Sequence, residues 1–285
     1  MALPLSRRAA LFALGSTVLL GSCTIASDGK NTPDSASASE GSLKTVTPGK
    51  LTIATGEPAY SPWVEDNDPA SGKGFEAAVA YAVAGKLGFA NADVVWVRST
   101  FDAAVAPGAK DWDFNLQQFS ITEERRNAVD FSSPYYTTAQ AVVTLKGSPV
   151  AGATTVAGLK GALLGAQTGT TSHRMLTETV APTTAPSVFN NSQDTVQALK
   201  GGQVDAIVVD LPTALYLVAA ELDGGVVVGQ FADTSGGDQF GLVLPKGSPL
   251  TAAVTGAVDA LRADGTLDSL TKTWLSETVN VPVLS

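Results

Sequence analysis

Arg125 follows Phe119-Ser120-Ile121-Thr122-Glu123-Glu124 and precedes Asp130-Phe131-Ser132. A guanidinium is a planar fork that pairs bidentately with a carboxylate. Hydroxyls and free amides beside it would complete a pocket for a small anion. The competing reading is a solvated charge on a surface helix. A second anion-compatible stretch is Gln167-Thr168-Gly169-Thr170-Thr171. It follows an apolar run and opens a helix, so the glycine allows a tight turn and the next amides lack partners. Thr170 and Thr171 add hydroxyls. No Gly-Lys-Thr follows, so this is not a P-loop, and an ordinary helix cap competes with the anion reading. Asp210 ends Ala206-Ile207-Val208-Val209 directly before Leu211-Pro212. A carboxylate there can hold an ammonium or cap the helix that contains Pro212.

Glu57-Pro58-Ala59-Tyr60-Ser61-Pro62-Trp63 is a proline-bracketed loop. Tyr60 and Phe101 can sandwich the apolar stem of a ligand, with Glu57 meeting a distal positive group. Alternatively these aromatics are core. His173, the single histidine, has no nucleophile or metal-ligand partner at a recognisable spacing. No HExxH, GxSxG or GxGxxG motif stands in a usable context, so neither a metal nor a cofactor is expected.

The elements that must position these residues alternate. Strand runs are predicted at Leu51–Thr55, Asp93–Val97, Asp113–Phe119, Ala141–Leu145, Ala162–Ala166, Val204–Val209 and Phe240–Leu244. Between them lie helical patterns at Phe75–Leu87, Phe101–Ala106, Thr171–Val180, Ser192–Lys200 and Leu211–Glu221, with closing helices at Leu250–Asp264 and Leu267–Ser276. Strands alternating with helices predict open, mainly parallel sheets. Two such units suggest two lobes and a cleft, with ligands bound beyond the carboxyl ends of the strands.

With 285 residues, 44% of them hydrophobic, the chain can build one large or two small domains. A net charge of -9 argues against nucleic acid and against a polybasic membrane surface. Residues 1–22 read as an export signal: Arg7-Arg8 give the basic start, and Ala9–Leu20 is an apolar run short for a membrane span. Leu20-Gly21-Ser22-Cys23 resembles a bacterial lipobox, which would lipidate Cys23 and leave the protein anchored to the outer face of the cytoplasmic membrane. Ser6-Arg7-Arg8 also resembles a twin-arginine signal, so two export routes stay open. Residues 23–48 are rich in Ser, Ala, Thr, Asp and Gly and predict a flexible tether. With one cysteine there is no intrachain disulfide.

Several segments in order resemble the bacterial extracellular solute-binding proteins of family 3, the amino-acid-binding components of ABC importers. They are Leu51–Thr55, Tyr60-Ser61-Pro62-Trp63, Gly74-Phe75-Glu76, Ser120–Arg125, Asp130–Tyr135, Gly169-Thr170-Thr171, Val204–Asp210, Gln239-Phe240-Gly241, Arg262–Thr266 and Trp274. The resemblance implies a two-lobe periplasmic-binding-protein-like fold of type II, with the ligand between lobes. It implies lobe 1 over 49–136, lobe 2 over 140–236, and a return to lobe 1 over 241–285. It further implies that Arg125 clamps an α-carboxylate with Thr170 and Thr171. Asp210 would hold an α-ammonium with Ser120 and backbone near Gln118, and Tyr60 and Phe101 would pack on the side chain. Glu57 matches a position that is acidic in members favouring cationic side chains. Gln117-Gln118 stand where many members have small residues. Glu57 and the two glutamines together suggest arginine, lysine or glutamine as ligand. The expected protein is a monomer that is no enzyme, with a free amino acid and membrane permease subunits as partners. A dehydratase on the same fold, or a ligand-sensing partner of a membrane receptor, are the alternatives.

Overall fold

The computed structural model describes residues 43–232, 237–275 and 281–285. The export signal with Arg7 and Arg8, the expected lipidation site Cys23, and most of the tether lie outside the described residues. Along the chain, β1 (Leu51–Thr55) leads through a loop to α1 (Phe75–Lys86), then β2 (Val94–Arg98), α2 (Phe101–Val105), β3 (Phe114–Asn115) and α3 (Glu123–Arg126). Next come β4 (Val129–Thr138), β5 (Gln140–Leu145), β6 (Leu164–Gln167), α4 (Thr171–Arg174), β7 (Ser187–Phe189), α5 (Ser192–Lys200), β8 (Ala206–Asp210), α6 (Leu211–Tyr216) and β9 (Gly225–Phe231). The chain closes with β10 (Asp238–Pro245), α7 (Thr251–Ala263), α8 (Thr266–Trp274) and β11 (Val283–Leu284). α4 and α6 each widen into a π turn, over Met175–Val180 and Leu217–Glu221.

These elements form two sheets, β2-β1-β3-β10-β4 and β11-β9-β5-β8-β6-β7, one per lobe. The two-lobe α/β architecture expected from the alternating pattern is present. The sheets are mixed rather than mainly parallel: β1 runs parallel to β2 and β3, while β10 is antiparallel to β3 and β4, and β5 to β8 and β9. The antiparallel strands are those on either side of the lobe crossings, with only Ala139 between β4 and β5. In lobe 1, Leu51 and Ile53 face α1, α7 and α8 through Phe75, Val79, Val83, Val254, Val258 and Leu267, while Ala54 faces the smaller cluster of Trp112, Phe119 and Phe131. β1 is thus buried on both faces along its whole length, its two threonines included. Lobe 2 repeats the arrangement, with Val142, Leu164 and Val208 on one face and Ala141, Val143 and Ile207 on the other.

Three expectations need correction. The strand predicted over Asp113–Phe119 shrinks to β3, because Gln118 takes a left-handed backbone at φ 50° that breaks extension. The end of the expected tether is docked onto lobe 1. Leu43 packs on its core, and the Asp113 carboxylate accepts the Val46 amide at 2.8 Å and the Thr52 amide at 2.7 Å. The C-terminus does not stay in lobe 1: after α8, β11 pairs parallel with β9 in the sheet of lobe 2, where Leu284 is buried. Strands β4, β7, β9 and β11 carry no prediction from the sequence. β4 contains Pro134, which sheets accept at an edge, and β4 is an edge strand of its sheet.

Candidate ligand-binding site

Arg125 owes its position to the segment before it. Phe119 is fully buried, Ile121 donates its amide to Gln239 O at 2.8 Å, and the Gly241 amide reaches Phe119 O at 3.0 Å, fixing the run against β10. Thr122 then caps α3 by accepting the Arg125 amide at 3.2 Å. The guanidinium lies over the Phe101 ring, 5.2 Å from its centroid, and Phe101 in turn stacks on Phe119 at 4.8 Å. Its Nη1 donates to Ser120 O at 2.7 Å and its Nη2 crosses to Gly169 O of lobe 2 at 2.9 Å. Burial, then the charge of Arg174, pulls its pKa down to about 10, so it is cationic at neutral pH. This is a cleft cation, not a solvated surface charge.

Lobe 2 supplies the facing wall. Gly169 sits at φ 70°, in the left-handed region that favours glycine. Thr170 is an ordinary cap: its hydroxyl accepts the His173 amide at 3.1 Å and donates to Gln167 O at 2.7 Å. Its donor is therefore occupied, and the backbone amides at Thr170 and Thr171 are what the turn has to offer an anion. Thr171 Oγ1 donates to Asp238 at 2.8 Å and lies 3.2 Å from Ser120 Oγ of lobe 1. Gln167 accepts the Ser192 hydroxyl at 2.9 Å.

Asp210 stands at the head of α6 without its side chain capping that helix. The carboxylate instead accepts Gln140 Nε2 at 2.5 Å and lines the cleft. Burial, then the nearby Asp238 charge, raises its pKa to about 8, against the pull of Gln140 and Arg125.

The loop after β1 closes the remaining side. Arg98 holds it by donating to Gly56 O at 2.8 Å and Asn67 O at 2.5 Å. Trp63 Nε1 reaches across to Thr213 Oγ1 at 2.9 Å, and the Tyr60 hydroxyl lies 3.4 Å from Asn191 Oδ1 of lobe 2. Trp63 is core as well as bridge, packed edge-on against Phe75 and Phe240. Glu57 is exposed at the rim. The two glutamines are engaged internally: Gln117 Nε2 donates to Ser99 O at 3.1 Å and Asn115 Oδ1 at 3.0 Å, and Gln118 donates its side chain and its amide to Glu76.

Glu57, Tyr60, Phe101, Gln118, Ser120, Arg125, Gln167, Thr170, Thr171 and Asp210 thus all line one interlobe cavity of about 190 Å³. His173 does not line it. Glu76, named from the sequence only as part of the Gly74-Phe75-Glu76 segment and given no site role, also lines the cavity; it is buried at the start of α1, hydrogen-bonded to Tyr135 and Gln118, and raised by burial to a pKa of about 7. The signal was available, since a carboxylate in an otherwise apolar helix start needs a partner. Among the described residues no cluster of His, Cys, Asp or Glu could hold a metal ion, and no helix is long and apolar enough to cross a membrane.

Two lobes that meet over a small cleft with a guanidinium, a carboxyl group and aromatic walls define a solute-binding protein. The chain belongs to the bacterial extracellular solute-binding proteins, family 3, whose family model matches residues 51–277. A probable histidine-binding protein of Campylobacter jejuni is 29% identical over 232 residues, covering 79% of this chain and 85% of the relative. An L-arginine-binding protein of Pseudomonas aeruginosa is 29% identical over 216 residues, covering 73% and 82%. The solved structure of an ancestral arginine-binding protein bound to glutamine is 31% identical with a TM-score of 0.68, covering 80% of this chain and 98% of that one. These relatives are named for binding, and this chain is a solute-binding protein of the same family.

Proposed function

We propose that this protein captures a free amino acid with a basic or amide side chain and delivers it to the permease of an ABC importer. The observation that supports this most directly is the pairing of Arg125 with Asp210 in one small cavity. Arg125 spends two N–H groups on Ser120 O and Gly169 O, and its remaining N–H groups suit an α-carboxylate. The unpaired Thr170 and Thr171 amides would add to that pole. Asp210 and the Ser120 hydroxyl suit an α-ammonium, and Tyr60 and Phe101 suit the stem of the side chain. Gln117 commits both N–H groups of its amide to the protein and Gln118 one of its two, so the Gln117 oxygen is left as an acceptor for a ligand. With Glu57 at the rim, the cleft favours a ligand that brings donors. Both lobes contribute, so ligand affinity and lobe closure are linked.

In calorimetry against arginine, lysine, histidine, glutamine and glutamate, the basic and amide ligands are expected to bind and glutamate is not. Arg125→Ala is expected to abolish the binding; an unchanged Kd would remove Arg125 from the carboxylate clamp. We further propose that Cys23 is lipidated after export and that the monomer works tethered outside the cytoplasmic membrane. Cys23→Ala should then release the protein from the membrane fraction, and continued retention would exclude this anchor.

A further inference from the structure

One polar cluster lies at the hinge end of the cleft and is centred on two residues outside the ligand cavity. Gln140 opens β5, one residue after the chain leaves the lobe 1 sheet, and Asp238 opens β10, the strand of the return, in register with Thr138 of β4. Neither residue lines the ligand cavity. Gln140 Nε2 donates to Asp210 Oδ1 and to Asp238 Oδ2, both at 2.5 Å, and its Oε1 accepts the Ser172 hydroxyl at 2.5 Å. Asp238 Oδ2 also accepts the Thr171 hydroxyl at 2.8 Å. Gln140 and Ser172 are both buried. The carboxamide therefore has both ends occupied and cannot turn without giving up bonds to two carboxylates. Asp238 belongs to the sheet of lobe 1, yet both of these donors come from lobe 2. Separating the lobes would carry Thr171 away from Asp238 and leave the bridge between Asp210 and Asp238 strained or broken.

We infer that Gln140 and Asp238 are positioning residues that latch the two lobes in the closed state and hold the Asp210 carboxylate toward the cleft. The role given to Asp210 rests on the amino-acid-binding reading; the latch between lobes does not. Because neither Gln140 nor Asp238 lines the cavity, the latch sets how tightly the protein closes without setting which side chain it prefers.

Fluorophores at positions 73 and 160, exposed and on different lobes, report lobe separation by energy transfer with and without arginine or glutamine. Asp238→Ala and Gln140→Leu are each expected to shift the protein toward the open state. They should weaken the bound amino acid about tenfold, mainly through faster dissociation, with the ranking among amino acids unchanged. Asp238→Asn, which keeps the shape and one acceptor, covers the case in which a larger change fails to fold, and is expected to fall between. Unchanged lobe separation in folded variants overturns the latch, even if affinity falls, and so does a reordered amino-acid ranking. If the wild-type protein binds no amino acid at all, the functional reading fails, while the separation measured without ligand still decides the latch.

Discussion

At the residue scale the informative fact is that Asp210 is held in an unfavourable setting. Its pKa is raised to about 8 by burial and by Asp238. A carboxyl with a folded pKa above its unfolded one contributes stability that is complete below about 4 and is lost as the pH rises toward and through about 8. Asp210→Asn removes this loss. Its ligand-free melting temperature should exceed that of the wild type, by more at pH 8.5 than at pH 5, even as amino-acid binding collapses. A gap that closes at the higher pH would contradict the burial argument. The same residue links binding to protons. An ammonium beside Asp210 favours its ionised form, so binding near pH 7 should release a proton. Calorimetry in buffers of different ionisation heat should show it, and a buffer-independent enthalpy would count against Asp210 as the ammonium partner.

At the scale of elements, turns decide where the walls of the cleft stand. Gly74 precedes α1 at φ 98°, and a Cβ there would lie 2.5 Å from Trp63 O and 2.7 Å from Val64 Cα. No flexible side chain end can yield, because both are backbone atoms. Gly74→Ala should therefore cost about 2 to 4 kcal/mol in denaturant unfolding and displace the Trp63 loop, with weaker ligand binding; a wild-type midpoint would show that the contact relaxes freely. The helix and strand pattern was largely legible for α1, α5, α7 and β1, where apolar spacing or a short apolar run is clean. It failed for β4, whose hydroxyl residues and Pro134 read as loop, and for Asp113–Phe119. There the apolar run ends because Gln118 adopts a left-handed backbone, with its amide and side chain both held by Glu76. Local sequence does not announce that backbone, because glutamine has no particular preference for it.

At the scale of the molecule, the chain passes between the lobes more than once, and its last strand ends in lobe 2. Leu284 is 2% exposed among Val142, Val208 and Phe231, and the Ser285 carbonyl accepts the Val156 amide at 3.1 Å. Leu284→Ala should destabilise the protein by about 2 to 4 kcal/mol. Hydrogen exchange should show that loss concentrated in β5, β8 and β9 rather than in lobe 1; uniform loss over both lobes would mean that they do not unfold separately. The C-terminal pairing could not be read beforehand, since two residues of strand carry almost no periodic signal.

The sequence by itself determined the alternating α/β architecture, the family, and ten of the residues that meet in the cleft, because those depend on short-range patterns and on motifs in a fixed order. Only the tertiary structure decided what each of these side chains is free to do. Thr170 spends its hydroxyl on capping, Gln117 and Gln118 turn their donors inward, and Asp210 leaves its helix uncapped to lie beside Gln140 and Asp238. A side chain's availability depends on which partners other lobes and strands bring within hydrogen-bond reach. Those partners, such as Glu76 for Gln118 or Asp238 for Gln140, lie 42 and 98 residues away along the chain.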